Sequence, residues 1–178
     1  MSDHTSLHTK YRPASLDKMI GQAPIIKSLR KVVKDGRAKV FQFYGPAGTG
    51  KTTLARIVAN MVCGGKATQA NIVEIPAAIF TGKDDSRAIV DKAQMRAIGA
   101  SPNKVIILDE AHRLSGNAWD ALLKATEEPP AHVYYVFCTT NPDKIPKTIK
   151  QRGVSYTMQT YSEDELVEIM IMVCKKDG

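Results

Sequence analysis

Apolar residues between Ala23 and Val33 recur at helical spacing, with Ile25, Ile26, Leu29, Val32 and Val33 on one side, until Asp35-Gly36-Arg37-Ala38 interrupts them. A short apolar run, Val40–Tyr44, then ends in Gly45. After Lys51 the helical pattern returns through Leu54, Ala55, Ile57, Val58 and Met61, so the pattern predicts strand, glycine-rich turn and helix. Residues 63–69 read as a loop and residues 71–75 as a strand. Asp84 or Asp85 can cap a helix that carries Ile89, Val90, Ala93, Ala97 and Ile98 inward until Ser101-Pro102 stops it. Residues 104–110 form a continuous β-branched run, the pattern of a strand buried on both faces. Ser115 can cap the next helix, through Ala121, Leu122 and Ala125, which must end at Pro129-Pro130 because a proline ring cannot continue it. Residues 133–140 and 154–158 read as strands, with a short helical segment before the second. Ser162 and Glu165 make a capping-box pattern ahead of Leu166, Ile169 and Met170. Five strands alternating with helices predict an α/β fold, a mostly parallel sheet covered on both faces, with ligands beyond the carboxyl ends of its strands.

Composition narrows the class. At 178 residues, 43% hydrophobic and 24% charged, the chain suits one globular domain. No apolar run approaches membrane-spanning length and the first ten residues lack the apolar core of a secretory signal, so the cytoplasm is expected. Cys63, Cys138 and Cys174 are far apart, and His4, His8, His112 and His132 form no helical pair with a carboxylate, which argues against a disulfide framework and against zinc. The net charge of +7 suits an anionic partner, nucleic acid first, and equally a basic solvated surface.

The segment Gly45-Pro46-Ala47-Gly48-Thr49-Gly50-Lys51-Thr52 matches a phosphate-binding loop at every fixed position. Its glycines let successive N–H groups face phosphates, Lys51 adds a cation and Thr52 offers a hydroxyl to magnesium. The apolar run ending at Leu108 delivers Asp109 to the same sheet edge, where a carboxylate can hold magnesium, and Glu110 follows in position to orient or deprotonate a water. Thr139-Thr140-Asn141 also leaves a strand at its carboxyl end. A neutral polar side chain there could hold the attacking water or the terminal phosphate, or simply make the turn before Pro142. Cys138 reads as core, with no base nearby in sequence.

Taken in order, Tyr11-Arg12-Pro13, Gly21-Gln22, the phosphate loop, residues 108–112, the run "ALLKATEEPP" at 121–130, the run "TTNPDKIPKTI" at 139–149, and Arg152 resemble the ATPase subunits of DNA polymerase sliding-clamp loaders. The likeness is to the bacterial gamma/tau subunit and the small subunits of replication factor C, within the AAA+ superfamily, and it covers nearly the whole chain from Tyr11. It implies an AAA+ P-loop NTPase domain with a five-stranded parallel sheet in order 5-1-4-3-2 and the start of a helical lid. Residues 1–10 would be a flexible tail, 11–160 the ATPase core and 161–178 the first lid helix.

The resemblance further implies ATP and magnesium as cofactors, with Gly45, Pro46, Ala47, Gly48, Thr49, Gly50, Lys51, Thr52 and Thr53 around the phosphates and Tyr11, Arg12, Gly21 and Gln22 packing on the base. Thr52 and Asp109 would hold the metal, Glu110 would activate water, and Thr140 with Asn141 would sense the terminal phosphate. Arg152 would reach a neighbouring subunit's ATP in trans. Implied partners are other loader subunits, a sliding clamp and primed DNA, with no membrane and no zinc. Three departures stand out. Gln151-Arg152-Gly153 replaces a Ser-Arg-Cys motif, and the glycine is expected to loosen the backbone. Cys63 stands alone where the bacterial zinc module would be. The chain stops after the presumed first lid helix, as a truncated chain or a minimal viral version would. Lys83 and Arg87 are candidate DNA contacts. The rival readings are a helicase, suggested by Asp109-Glu110-Ala111-His112 but requiring a second ATPase domain, a non-hydrolysing loader subunit, and another AAA+ DNA remodeller such as a helicase loader.

Overall fold

The computed structural model describes residues 7–78, 83–97 and 99–177. Side chains of residues 83–88 lie outside that description, and with them the candidate DNA contacts Lys83 and Arg87; so does Ile98. In chain order the elements are α1 (Leu7–Lys10), α2 (Ala23–Asp35), β1 (Val40–Tyr44), α3 (Lys51–Val62), β2 (Ile72–Pro76), α4 (Lys83–Gln94), β3 (Lys104–Asp109), α5 (Gly116–Glu127), β4 (Val133–Thr139), α6 (Lys147–Arg152), β5 (Val154–Thr157) and α7 (Glu163–Asp177). Residues 7–10 form a helical turn. Two expectations need correction. Asp84 and Asp85 fall inside α4, so neither is its N-cap, and α4 ends at Gln94, leaving Ala97 outside it.

All strand pairs are parallel, and the sheet order is β2-β3-β4-β1-β5, the expected 5-1-4-3-2 order read from the other edge. Strand alternation divides the buried side chains between two layers. Phe41, Phe43, Val105, Ile107, Val136 and Cys138 face Leu29 of α2 and Leu54, Val58 and Ala59 of α3. Val40, Ile106, Leu108, Tyr135 and Phe137 face Ile89 of α4, Trp119 and Leu122 of α5, and Ile149 of α6. At roughly 25 cal/mol per Å² of apolar surface removed from water, these two layers are the main stabilising term of the domain.

The helix ends obey local chemistry. Ser115 accepts from Ala118 N–H at 3.3 Å, the expected cap. The capping box closes reciprocally, with Ser162 N–H on Glu165 Oε2 at 2.8 Å and Glu165 N–H on Ser162 Oγ at 3.2 Å. Gly36 ends α2 in the left-handed region, with φ +67°. Helix α7 leaves Leu166, Val167, Met170 and Ile171 exposed.

A polar group in the core explains the departure at Gly153. Gln42, fully buried in β1, donates from Nε2 to Ile149 O of α6 at 2.9 Å, and its Oε1 accepts from the Tyr44 hydroxyl. A Cβ on Gly153 would lie 2.6 Å from Val40 O and 2.8 Å from Gln42 Nε2. Its φ of −137° is open to any residue, so the requirement is space rather than conformational freedom. The expected loosening is therefore corrected: Gly153 is a close-packed crossing of β1, and a cysteine there would collide with it. Gly153→Ala is expected to destabilise the domain by about 1–3 kcal/mol through overpacking. Gly116→Ala, whose added Cβ meets nothing within 4 Å, should stay within about 0.5 kcal/mol of the parent. Urea unfolding midpoints of the two variants check the contrast, and equal midpoints would refute it.

Candidate active site

Parallel strands bring three segments to one edge. Tyr44 registers with Thr139, and Pro76 with Asp109, while β4 runs between β1 and β3. The turn after β1, the acidic pair after β3 and the polar turn after β4 therefore emerge side by side. The phosphate loop begins at Gly45, whose N–H donates to Thr139 O at 3.3 Å. Gly45, Gly48 and Gly50 all have positive φ (+144°, +78° and +90°), which lets the loop curl around a concavity. A Cβ at Gly45 would lie 2.6 Å from Met158 O, so this glycine also serves close packing on the chain after β5.

No side chain caps α3, and no acidic residue occupies its first turn. Its unpaired N–H groups and positive dipole end are left facing the loop, the ordinary basis of an anion site. Lys51 is buried, with Nζ donating to Gly45 O at 2.9 Å and Pro46 O at 2.7 Å. Burial lowers its pKa, while the negative charge of Glu110, and less that of Asp109, pulls it back up. A polyanion in the loop would act in the same direction as those carboxylates.

Thr52 donates from Oγ1 to Asp109 Oδ2 at 2.8 Å. Residues 57 positions apart thus present two oxygen ligands side by side. Magnesium is commonly bound by one or two protein oxygens, the rest of its octahedron coming from water and phosphate. The Thr52–Asp109 pair fits that requirement. Among the described residues no group of three or more His, Cys, Asp or Glu side chains could hold a metal ion. Glu110 sits in the left-handed region at φ +52°, with its N–H on Asp109 Oδ1 at 3.0 Å. Its carboxylate is about half exposed and turns toward His112, Nε2 to Oε2 being 3.5 Å.

The two threonines of the polar turn are placed differently. Thr140 is exposed, whereas Thr139 is fully buried and joins the acidic segment through His112 Nδ1, 3.0 Å from its Oγ1. Asn141 donates its backbone N–H to the same Oγ1 at 3.0 Å. The contact of His112 with Thr139 was not anticipated. The available signal was a histidine three residues after Asp109, which gains meaning only from the strand order. Cys138 is buried, and burial together with Asp109 raises its thiol pKa well above the ordinary range, in keeping with a packing role.

Beside the loop a mainly apolar cleft of about 480 Å³ is lined by Tyr11, Arg12, Met19, Gly48, Gly50, Thr53, Tyr161 and Ile169. Tyr11 and Arg12, expected beside a base, are part of this lining. Gly21 and Gln22 are not in its lining. Gln22 instead exchanges hydrogen bonds with the Gln159 backbone, at 2.7 Å to its O and 3.3 Å from its N–H, and Gly21 packs so closely on Glu165 that a Cβ would lie 2.7 Å from it. Both pin the chain before α2 to the segment that leads into α7. Tyr161, not anticipated, donates to Thr49 O of the phosphate loop at 3.4 Å, and burial raises its pKa.

Arg152 lies at the other end of the sheet. It precedes Val154, which registers with Phe41, four strand steps or roughly 13 Å before Gly45. Its guanidinium donates from Nη1 to Leu123 O at 2.6 Å and pairs through Nη2 with Glu127 Oε1 at 3.2 Å. A cation on the last turn of α5 complements that helix end.

Residues 41–159 match the family model "ATPase family associated with various cellular activities (AAA)". The chain is 32% identical to the DNA polymerase III subunit gamma/tau of Mycobacterium tuberculosis over 97% of its length and 33% of that protein's. It is 35% identical to the subunit tau/gamma of Haemophilus influenzae over 97% of its length and 28% of that protein's. It therefore spans about a third of the length of these relatives. The structure of the RuvB Holliday junction branch migration motor of Thermotoga maritima superimposes with TM-score 0.71 and 28% identity, covering 89% of this chain and 52% of that one. A gamma-subunit-related protein from the same organism, at 22% identity, shares the fold with TM-score 0.66, covering 78% of this chain and 47% of that one. With a matching family model across most of the chain, a five-stranded parallel sheet in the expected order and a glycine loop facing the Thr52–Asp109 pair, the chain belongs to the AAA family of ATPases.

Proposed function

We propose that this domain binds and hydrolyses ATP as a subunit of a DNA sliding-clamp loader. The observation that carries the chemistry is the contact of Thr52 with Asp109 beneath a loop that already holds Lys51 inward. In this reading the α3 N-terminus and Lys51 hold the phosphates, Tyr11 and Arg12 flank the base, and Thr52 and Asp109 hold magnesium, which would neutralise charge on the phosphates. Glu110 takes the proton of the attacking water as general base. Thr140 and Asn141 stand at the end of β4, where the terminal phosphate would be sensed. The clamp-loader assignment is supported by the similarity to DNA polymerase III gamma/tau subunits across nearly the whole chain.

A multisubunit assembly is supported by Arg152. Its place at the amino edge of the sheet keeps it from its own phosphate loop; on release from Leu123 O and Glu127 it would reach an adjacent subunit, where a cation would stabilise charge developing on the transferred phosphoryl group. Primed DNA and a sliding clamp are the partners this reading implies, with the basic balance of the chain favouring phosphate-backbone contacts.

Lys51→Ala should abolish ATP binding in calorimetry with an unchanged melting temperature, whereas Glu110→Gln should bind ATP normally and lose about 10²- to 10⁴-fold in turnover. Retained binding in the first variant, or parental turnover in the second, would refute the assigned role. Addition of a sliding clamp and primed DNA should raise hydrolysis by the assembled protein, and no stimulation would argue against clamp loading.

Arg152→Ala should leave ATP affinity of the isolated chain unchanged and slow hydrolysis in the assembly by about a thousandfold. Mixing Arg152→Ala with Lys51→Ala subunits should restore activity, since some interfaces then combine two intact half-sites. If mixed assemblies form and stay inactive, Arg152 is an anchor for α5 and not a trans residue.

A further inference from the structure

We propose that His112 is a positioning residue that transmits the state of the polar turn after β4 to the general base Glu110; this rests on the reading of Glu110 given above. The backbone on both sides is fixed. Asp109 O accepts from Ala77 N–H at 2.9 Å, Arg113 N–H returns to Glu110 O at 2.9 Å, and Ala111 between them is fully buried. The freedom left in this segment is the Glu110 side chain, 43% exposed, facing an imidazole that is 15% exposed. Strand β2 ends opposite Asp109 in Pro76, followed by Ala77, neither of which carries a side-chain donor. Among the described residues, His112 is the side chain that meets the Glu110 carboxylate.

Proton counting gives the contact two states. Thr139 Oγ1 accepts from Asn141 N–H at 3.0 Å and has one proton to give, either to His112 Nδ1 at 3.0 Å or to Asn141 O at 3.2 Å. If it donates to Nδ1, the neutral imidazole carries its own proton on Nε2 and presents an N–H to Glu110. If it turns to Asn141 O, the contact with Thr139 requires the proton on Nδ1. The bare Nε2 lone pair then faces the Glu110 carboxylate and repels it. The hydroxyl rotation favours one tautomer over the other, and the imidazole follows by giving its Nε2 proton to solvent and taking one from solvent at Nδ1. The tautomer then decides whether Glu110 is held toward His112 or released toward the phosphate loop. At 3.5 Å the Glu110 contact is loose, so either state is accessible. A phosphate that shifts Thr140 or Asn141 alters the Thr139–Asn141 geometry and so biases the choice. The imidazole need not change charge.

The test uses the full chain in its active assembly and reads kcat, KM and the affinity for a non-hydrolysable ATP analogue. His112→Ala and Thr139→Val should each lower kcat by about 10- to 100-fold, the scale of a misplaced catalytic group, with analogue affinity and melting temperature unchanged. The double variant should be no slower than the slower single variant, because both changes interrupt one path. Thr139→Ser, which keeps the hydroxyl, should lose less kcat than Thr139→Val. His112→Gln, whose amide reaches toward the Nε2 position, should recover part of the lost kcat and become insensitive to Thr139→Val. Parental kcat in His112→Ala while Glu110→Gln is inactive would overturn the proposal but leave the base intact. Parental turnover in Glu110→Gln would overturn the base assignment itself. Additive single effects, or losses that follow analogue affinity or melting temperature, would make His112 merely structural and overturn the proposal.

Discussion

Strand β4 runs between β1 and β3 with all seven of its residues buried, and the carboxyl edge is organised around it. Its last carbonyl, that of Thr139, accepts the first N–H of the phosphate loop, while the Thr139 hydroxyl meets His112 behind the acidic pair. A slip of β4 by one residue would turn its side chains to the opposite faces and break both connections together. Register is protected because both faces are committed: Val136 and Cys138 pack toward α3, and Tyr135 and Phe137 toward α5. The site thus inherits its precision from the core.

Charge is separated along the strands. At the carboxyl edge an uncapped helix end and a buried ammonium face two carboxylates, a balance that an added polyanion and cation would shift but not overturn. At the amino edge Arg152 rests on the last turn of α5 and on Glu127. A parallel sheet cannot bring these edges together within one chain, since its strands set their spacing. The buried Gln42 ties the helix carrying Arg152 to β1 through Ile149 O, and Gly153 makes that approach possible.

The segment that leads into α7 is joined to the chain before α2 and to the glycine loop by contacts that no local pattern announces. Gln22 and Gln159, 137 positions apart, exchange two hydrogen bonds, and Tyr161 reaches the loop carbonyl of Thr49. The Gly21-Gln22 pair was expected, from the resemblance, to pack on a base; its contact with the chain before α7 was not legible, because a long-range side-chain-to-backbone bond leaves no periodic trace. The helix through Ile89 ends at Gln94, before Ala97, and helix ends are governed by caps and packing more than by apolar spacing.

Apolar periodicity and the glycine loop by themselves determined the five strands, their alternation with helices, and the identities of Lys51, Thr52, Asp109 and Glu110, because these depend on short-range spacing within single segments. Strand order became legible only through resemblance to other chains, since nothing local says which strand lies beside which. Tertiary structure decided that Thr139, rather than Thr140, is the buried partner of the acidic segment, and that Gln22 faces the chain before α7. It also decided that Gly153 is required by its crossing of β1 and that Arg152 stands a strand's length from its own phosphate loop. These facts concern pairs of groups far apart in the chain, and their geometry exists only once two faces of one sheet have been buried.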